Sequence, residues 1–299
     1  MTSLKGQRAL PHKPDGGSFR SFFFQLIVLR FMAMSKASFL ITILGLAGKL
    51  PLRAAQLAGR FLGTIAWTFR TNSRRVTEIN LGIAFPDLTN DQHQNMARSS
   101  LRHTGQTMME IPLMWEWPVE RCLGLIREIE GEELLENAKK DGRGLLLLAP
   151  HLGNWELFSV LAEHLNQPMV AAVANVPEPR INQRLQAMRE RGPMQIVPRG
   201  DSKALGKILQ CFQNREVFVL AIDQDTNVPS IWAPFFNLPA KTPIGATAFA
   251  LMSGAPVVSG LFVREQDGRF RLHLTDLGVQ KKLPQENEDH AVFRITRSL

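Results

Sequence analysis

Gly144-Leu-Leu-Leu-Leu-Ala-Pro-His151-Leu-Gly-Asn-Trp-Glu156 decides how this chain is read. Leu145 to Ala149 is a short unbroken apolar run, the pattern of a strand covered on both faces. Pro150 and Gly153 end it, and Asn154 is placed to cap a helix that starts at Trp155. Trp155 to Leu165 reads as that helix, with Trp155, Phe158, Val160, Leu161 and Leu165 on its buried side. On one continuous helix, positions i and i+5 point about 140° apart. With His151 in the turn and Glu156 in the first helical turn, the carboxylate is expected to reach back to the imidazole. That is the arrangement of a base and the group that orients it.

The same alternation extends from residue 125 onward. Strands are expected at Leu125–Ile129, Leu145–Ala149, Met169–Val173, Met194–Val197, Val217–Ile222 and Pro256–Val263. Helices are expected between them at Gly131–Lys139, Trp155–Leu165, Arg180–Arg191, Lys203–Asn214 and Pro243–Met252. This order implies an α/β fold with a mainly parallel sheet flanked by helices. Phe270–Leu274 follows the last of these strands across Asp267-Gly268, so the sheet should end in an antiparallel hairpin. Upstream, residues 51–122 read as helical: Pro51–Phe69, with Gly59 and Gly63 as close-packing positions, then Arg74–Ile83, then Gln92–Trp115 capped by Thr89 or Asn90. Met108, Met109, Ile111 and Met114 are expected either in the ordinary core or along an apolar groove. Residues 123–299 are expected to form the α/β core, and the chain stops at Arg297-Ser298-Leu299 inside an expected element, so the natural C-terminus is expected farther on.

The net charge of +8 is concentrated at one end. Residues 1–77 hold twelve Lys/Arg against one acid, Asp15, whereas the remainder is slightly acidic. A nucleic-acid enzyme more often spreads its bases over the domain that carries its active site. Here they surround an apolar stretch, which favours an anionic membrane surface. Residues 1–18 are polar and Gly/Pro-rich, the composition of a disordered tail. Residues 19–50 are apolar but interrupted by Arg30 and Lys36, and no uncharged run reaches the roughly 18 residues of a spanning helix. A tilted span with snorkelling charges and interfacial amphipathic helices both satisfy this pattern. A buried helical hairpin in a soluble protein is the blander reading, and membrane attachment is preferred. Cys122 and Cys211 have no metal-type spacing and read as buried thiols of a reducing compartment.

Histidine is the side chain best matched to proton transfer near neutrality. No Ser or Cys nucleophile adjoins His151, and no G-x-S-x-G elbow occurs anywhere, so a covalent acyl-enzyme is not expected. His-x4-Glu without a nucleophile points to activation of a substrate hydroxyl for direct attack on an acyl donor. Backbone N–H groups at the following helix N-terminus would stabilise the oxyanion. Neither H-E-x-x-H nor a second histidine at ligand spacing is present, so no metal and no cofactor is expected.

From about Leu50 to Val263 the chain resembles the late acyltransferases of lipid A biosynthesis, the lauroyl/myristoyl transferase family within the lysophospholipid acyltransferase superfamily. The resemblance rests on Arg74-Arg75-Val, Asn80-Leu81, Phe85-Pro86, the Gly142–Glu156 segment, Arg189-Glu-Arg191-Gly192, Asp223-Gln224-Asp225, and Pro234-Phe235-Phe236 with Pro239-Ala240 and Thr242. It implies transfer of an acyl chain from acyl carrier protein to a hydroxyl of a lipid A precursor, at the cytoplasmic face of a Gram-negative inner membrane. It makes His151 the general base and Glu156 its partner. It places the family's downstream arginine on Arg189, with Arg191 as the other register, and a substrate-contacting aspartate on Asp223. Thr242 and Asn154 are expected to contact substrate, Thr242 at the start of a helix. Expected partners are acyl carrier protein, the lipid A precursor and membrane lipids, with no nucleic acid. The aromatic, Arg-rich C-terminal segment common in the family is absent here. An acyltransferase for another lysolipid, a lipid hydrolase and a non-enzymatic lipid-binding protein are the alternatives.

Overall fold

The computed structural model describes residues 36–299, apart from 143, 225 and 226. The chain divides into two units, residues 1–43 and 44–299. The expected tail over 1–18 and the part of the apolar segment before residue 36 lie outside the described residues. Helix α1 (Lys36–Ala47) is the first described element. No helix among the described residues is long and apolar enough to cross a membrane.

The second unit begins with helices. α2 (Leu52–Thr68) packs along α4 (Asn90–Glu116), and α3 (Asn72–Ala84) lies between them in sequence. The α2–α4 contact is close because glycines meet in it. A Cβ on Gly59 would stand 2.4 Å from the Gly105 carbonyl oxygen, and one on Gly63 2.3 Å from that of Leu101. No side chain separates the backbones at either point. α4 starts with a capping box, in which Thr89 Oγ1 accepts from Gln92 N and the Gln92 side chain accepts from Thr89 N. The short α5 (Val119–Leu123) leads into the sheet. The four methionine and isoleucine positions on α4 do not form one groove. Met114 is fully buried in the core, while Met108 is 43% exposed.

The seven-stranded sheet has the order β1-β9-β8-β2-β5-β3-β4. Its strands are β1 (Ile126–Glu130), β2 (Leu145–Leu148), β3 (Met169–Val173), β4 (Met194–Pro198), β5 (Val217–Leu220), β8 (Pro256–Arg264) and β9 (Phe270–Val279). Every neighbouring pair is parallel except β8–β9, the antiparallel hairpin expected around Asp267-Gly268. Helices α6 (Glu132–Asp141), α7 (Phe158–His164), α8 (Pro179–Arg189), α9 (Ala204–Gln213), α10 (Gly245–Ser253) and α11 (Glu288–Ser298) complete the unit. β2 shows why its sequence is uninterrupted by polar residues. Leu145 and Leu147 enter one core, and Leu146 and Leu148 enter a second on the opposite face.

Two strands were not foreseen. β6 (Ser230–Phe235) and β7 (Leu238–Pro243) form a separate antiparallel hairpin, and α11 follows the sheet. Pro234 and Pro239 lie opposite one another in the hairpin register. Two prolines remove ladder donors, which demotes such a segment in any reading of strand propensity. The hairpin also moves the start of the next helix. Thr242 belongs to β7 and pairs with Ile231, and α10 begins three residues later.

Candidate active site

The site is built where the sheet order reverses direction in sequence. β2 and β5 are adjacent parallel strands, with Leu148 opposite Leu220 and Ala149 N donating to Leu220 O at 3.0 Å. Three residues beyond each strand end stand His151 and Asp223, so equal steps along paired strands bring them together. The loops at the carboxyl ends of such strands are where open α/β sheets form ligand crevices.

Asp223 holds His151 through two bonds. The His151 backbone N–H donates to Oδ2 at 2.7 Å, and ring Nδ1 lies 2.8 Å from Oδ1. With the carboxylate ionised, Nδ1 carries the proton and donates, leaving Nε2 with its lone pair. Burial pushes the Asp223 carboxyl up, but the hydrogen bonds and charge of His151 outweigh it and hold the group below its ordinary value. The imidazole is about one third exposed (31%) and accessible to a substrate.

Glu156 does not reach back to His151 as the spacing had implied. Its carboxylate is 4% exposed and receives a fork from Arg189, Nε to Oε2 at 2.8 Å and Nη2 to Oε1 at 2.5 Å. Trp155 Nε1 donates to Oε1 at 3.2 Å, and the Trp155 ring lies edge-on to the His151 ring, with centroids 5.0 Å apart. The indole thus stands between the two residues expected to touch. The cause is local. Gly153 has φ +63, and the chain from Trp155 to Leu157 forms a single 3-10 turn before α7 begins at Phe158. The turn aims Glu156 inward toward α8 while His151 stays at the mouth. It also sets the α7 N-terminus farther along the chain than expected.

Arg189 is the arginine that joins the site. Arg191 instead donates to the carbonyls of Trp117 and Met114, closing the end of α4. Its carbonyl partners satisfy it away from the cavity. Asn154 was expected to cap a helix and touch substrate. It is wholly buried, makes no capping bond, and donates Nδ2 to Glu110 Oε2 at 3.2 Å. Thr242, also expected at the substrate, donates Oγ1 to the Ala240 carbonyl at 3.2 Å within its hairpin. Neither lines the cavities at His151.

One cavity of about 200 Å³ has His151, Trp155, Glu156 and Arg189 at its polar end. Its other walls mix apolar side chains, Phe158, Ala171, Met194, Ile196 and Val219, with the polar Ser159, Arg199 and Gln224.

Behind the histidine loop lies a polar network that sequence reasoning missed. Glu110 on α4 is fully buried, and Arg264 on β8 donates to both its oxygens, Nη2 to Oε2 at 3.0 Å. Gln56 Nε2 donates to Glu110 Oε1 at 2.7 Å, and Thr107 Oγ1 donates to the Gly153 carbonyl at 2.8 Å. These groups pin Gly153 and Asn154, and hence the loop that carries His151. The one sequence signal was an acid set within Met108-Met109-Glu110-Ile111-Pro112-Leu113-Met114, since a charge in such a run needs a buried partner.

Residues 27–288 match the family model for bacterial lipid A biosynthesis acyltransferases. The chain is 26% identical to the lipid A biosynthesis palmitoleoyltransferase of Escherichia coli strain K12, over 76% of this chain and 74% of that one. It is 27% identical to the lipid A biosynthesis lauroyltransferase of the same strain, over 77% and 74%. A phosphatidylinositol mannoside acyltransferase of Mycobacterium tuberculosis is 24% identical over 45% of this chain and 43% of its own.

Proposed function

Since the chain belongs to the bacterial lipid A biosynthesis acyltransferase family, we propose that it moves a fatty acyl chain from acyl carrier protein to a hydroxyl of a lipid A precursor. The observation that carries this reading is an oriented imidazole at the edge of a chamber, His151 bound by Asp223 beside the apolar Phe158, Ile196 and Val219 and the charged Arg189. The acyl chain occupies the chamber with its thioester carbonyl at the mouth. His151 Nε2 takes the proton of the acceptor hydroxyl as the oxygen attacks the carbonyl carbon. The tetrahedral intermediate collapses, the C–S bond breaks, and the carrier thiolate leaves with the proton returned by the imidazolium. Asp223 keeps the imidazole in the tautomer with a free Nε2 and stabilises its cation. Glu156 holds the Arg189 guanidinium at the chamber wall, where its charge faces the reacting region.

Attachment to the cytoplasmic face of an inner membrane is part of the same reading. α2 exposes Leu57 (67%) and Phe61 (66%), Phe69 just past its end is 76% exposed, and the β6–β7 hairpin exposes Trp232 and Phe235. Arg53, Arg60, Arg70 and Arg75 lie in or beside α2 and α3, so apolar and basic groups meet an anionic interface together. A different glycosylated or glycerol-based lysolipid is the second reading, favoured by the mycobacterial relative's shorter match.

The test is transfer of a labelled acyl group from its carrier thioester to a panel of lysolipids and lipid A precursors. His151→Ala should lower transfer by about 10²–10⁴-fold with the fold intact. Unchanged transfer would sink the base assignment, and preference for another lysolipid would replace the acceptor.

A further inference from the structure

β3, β4 and β5 send residues into both cores, and each face of the sheet holds a cavity at their carboxyl ends. Alternate residues serve the two. Ile196 and Val219 face the chamber at His151, whereas Val197, Phe218 and Leu220 face a second cavity of about 340 Å³. This second cavity lies between α9, α10 and the base of the β6–β7 hairpin. Small residues leave the room: Ala204 on α9, Gly245 and Ala248 on α10, and Ala172 and Ala221 at the strand ends. A Cβ on Gly245 would meet Leu220 Cδ2 at 3.9 Å and nothing closer outside its own turn. Pro229 and Pro243 close the hairpin side, where Ile244 N donates to Pro229 O at 3.1 Å. Proline has no N–H, so that wall brings few polar groups to the cavity.

The lining is hydrocarbon except at one end. Among the described residues Arg199, just past β4, is the one charged group on it, and no acid faces the cavity. The backbone of Arg199 is fixed, its N–H donating to the Val173 carbonyl at 2.7 Å. Its residue is exposed, and among the described residues no ion pair involves it. Nearby acids are engaged elsewhere: Asp201 accepts from Lys203 N at 2.9 Å, and Asp223 holds His151. Arg199 also borders the chamber at His151, as do Ala172 and Ala221, so the two cavities share a rim.

An apolar cavity stays dry and favours an apolar guest; one of about 150 Å³ accommodates benzene. By that measure about 340 Å³ suits an alkyl chain of roughly a dozen carbons. We propose that this cavity binds a free fatty acid, its hydrocarbon between α9 and α10 and its carboxylate on Arg199. One guanidinium offers a fork of donors to the two oxygens of a carboxylate and balances its single charge. A phosphate monoester would bring nearly two charges to the same arginine. The site lies on the opposite face of the sheet from the chamber at His151. It does not rest on the acyltransferase reading, because it needs neither the imidazole nor Asp223.

The experiment irradiates the full chain, in micelles of an uncharged detergent, with photoreactive probes that carry a diazirine near the chain end. A fatty acid, the alcohol of the same chain and the acyl carrier thioester are compared, and labelled peptides are mapped by mass spectrometry. The fatty acid should label α9 near Ile208 and α10 near Phe249, at concentrations about tenfold lower than the alcohol requires. Arg199→Gln should remove that advantage, and Arg199→Lys should keep part of it. Ala204→Leu and Ala248→Phe fill the cavity from opposite walls, and each should abolish the labelling. Where a filled variant unfolds, the wild-type map and Arg199→Gln decide. Absence of label at both helices, or fatty-acid label at Phe158 and Ser159 instead, would overturn the proposal. Equal affinity for acid and alcohol would overturn the role of Arg199. Thioester labelling of the same helices as strong as that by the acid would make the cavity the donor's own. No arm requires turnover, so a protein that binds the acid yet transfers nothing counts against the acyltransferase reading alone.

Discussion

Asp223 accepts two hydrogen bonds from one residue, the backbone N–H of His151 at 2.7 Å and its ring Nδ1 at 2.8 Å. A carboxylate bound this way fixes the ring, its tautomer and the loop beneath it at once. Glu156, five residues from His151, spends its charge on Arg189 instead. Asp223→Asn should therefore lower kcat far more than Glu156→Gln. Steady-state transfer kinetics on both variants check this, and equal losses in kcat would return Glu156 to the role of direct partner.

The depressed carboxyl of Asp223 has a consequence for acid stability. A group whose folded value lies below its unfolded one, about 3.9 for Asp, stabilises the fold above that unfolded value. The contribution is lost as the pH falls through the folded value. Wild type should exceed Asp223→Asn in stability at neutral pH, and the gap should narrow below about pH 4. Urea denaturation at a series of pH values measures it.

Glu110 and Arg264 are 0% and 7% exposed at their side chains, so removal of one leaves the other charged and buried. Glu110→Ala should cost about 3–5 kcal/mol. Thermal unfolding should show a drop of roughly 2–4 °C for each of these kcal/mol. A shift within error of wild type would mean that the pair adds nothing to the fold.

Gly59→Ala tests the close contact between α2 and α4. The added methyl would stand 2.4 Å from the Gly105 oxygen and 2.6 Å from Gln106 Cα, both backbone atoms that yield little. α2 must move away, at a cost of about 1–3 kcal/mol, and chemical denaturation should read that loss.

Burial holds the Cys122 thiol above its ordinary value; burial, with Glu216 beside it, pushes Cys211 up to about 12. Since the thiolate is the reactive form, neither should label with iodoacetamide at neutral pH in the native state. Both should label in urea. Rapid native labelling of either, read by mass spectrometry, would contradict the packing around it.

Much of the fold was legible because its signals are local. Leu145–Leu148 must be covered on two faces, and Met169–Val173 and Val217–Leu220 repeat the pattern at spacings that leave room for crossover helices. The β6–β7 hairpin was hidden because Pro234 and Pro239 suppress the strand signal, and its aromatic residues pack poorly by any local rule. At the site, His151 was legible from the strand-to-turn grammar around it, and the glycines of α2 from their spacing. Glu110 was not, since its partners Gln56, Asn154 and Arg264 come from three distant segments.

The sequence by itself determined that a histidine stands at the carboxyl end of a buried strand, without a nucleophile beside it. Which carboxylate serves that histidine was decided only by tertiary structure. Glu156 is near in sequence but is turned inward by the Gly153 bend and the 3-10 turn. Asp223 is 72 residues away, yet the pairing of Leu148 with Leu220 sets it directly opposite. Sequence spacing measures distance along the chain, whereas hydrogen bonds depend on distance in space, and strand register converts one into the other.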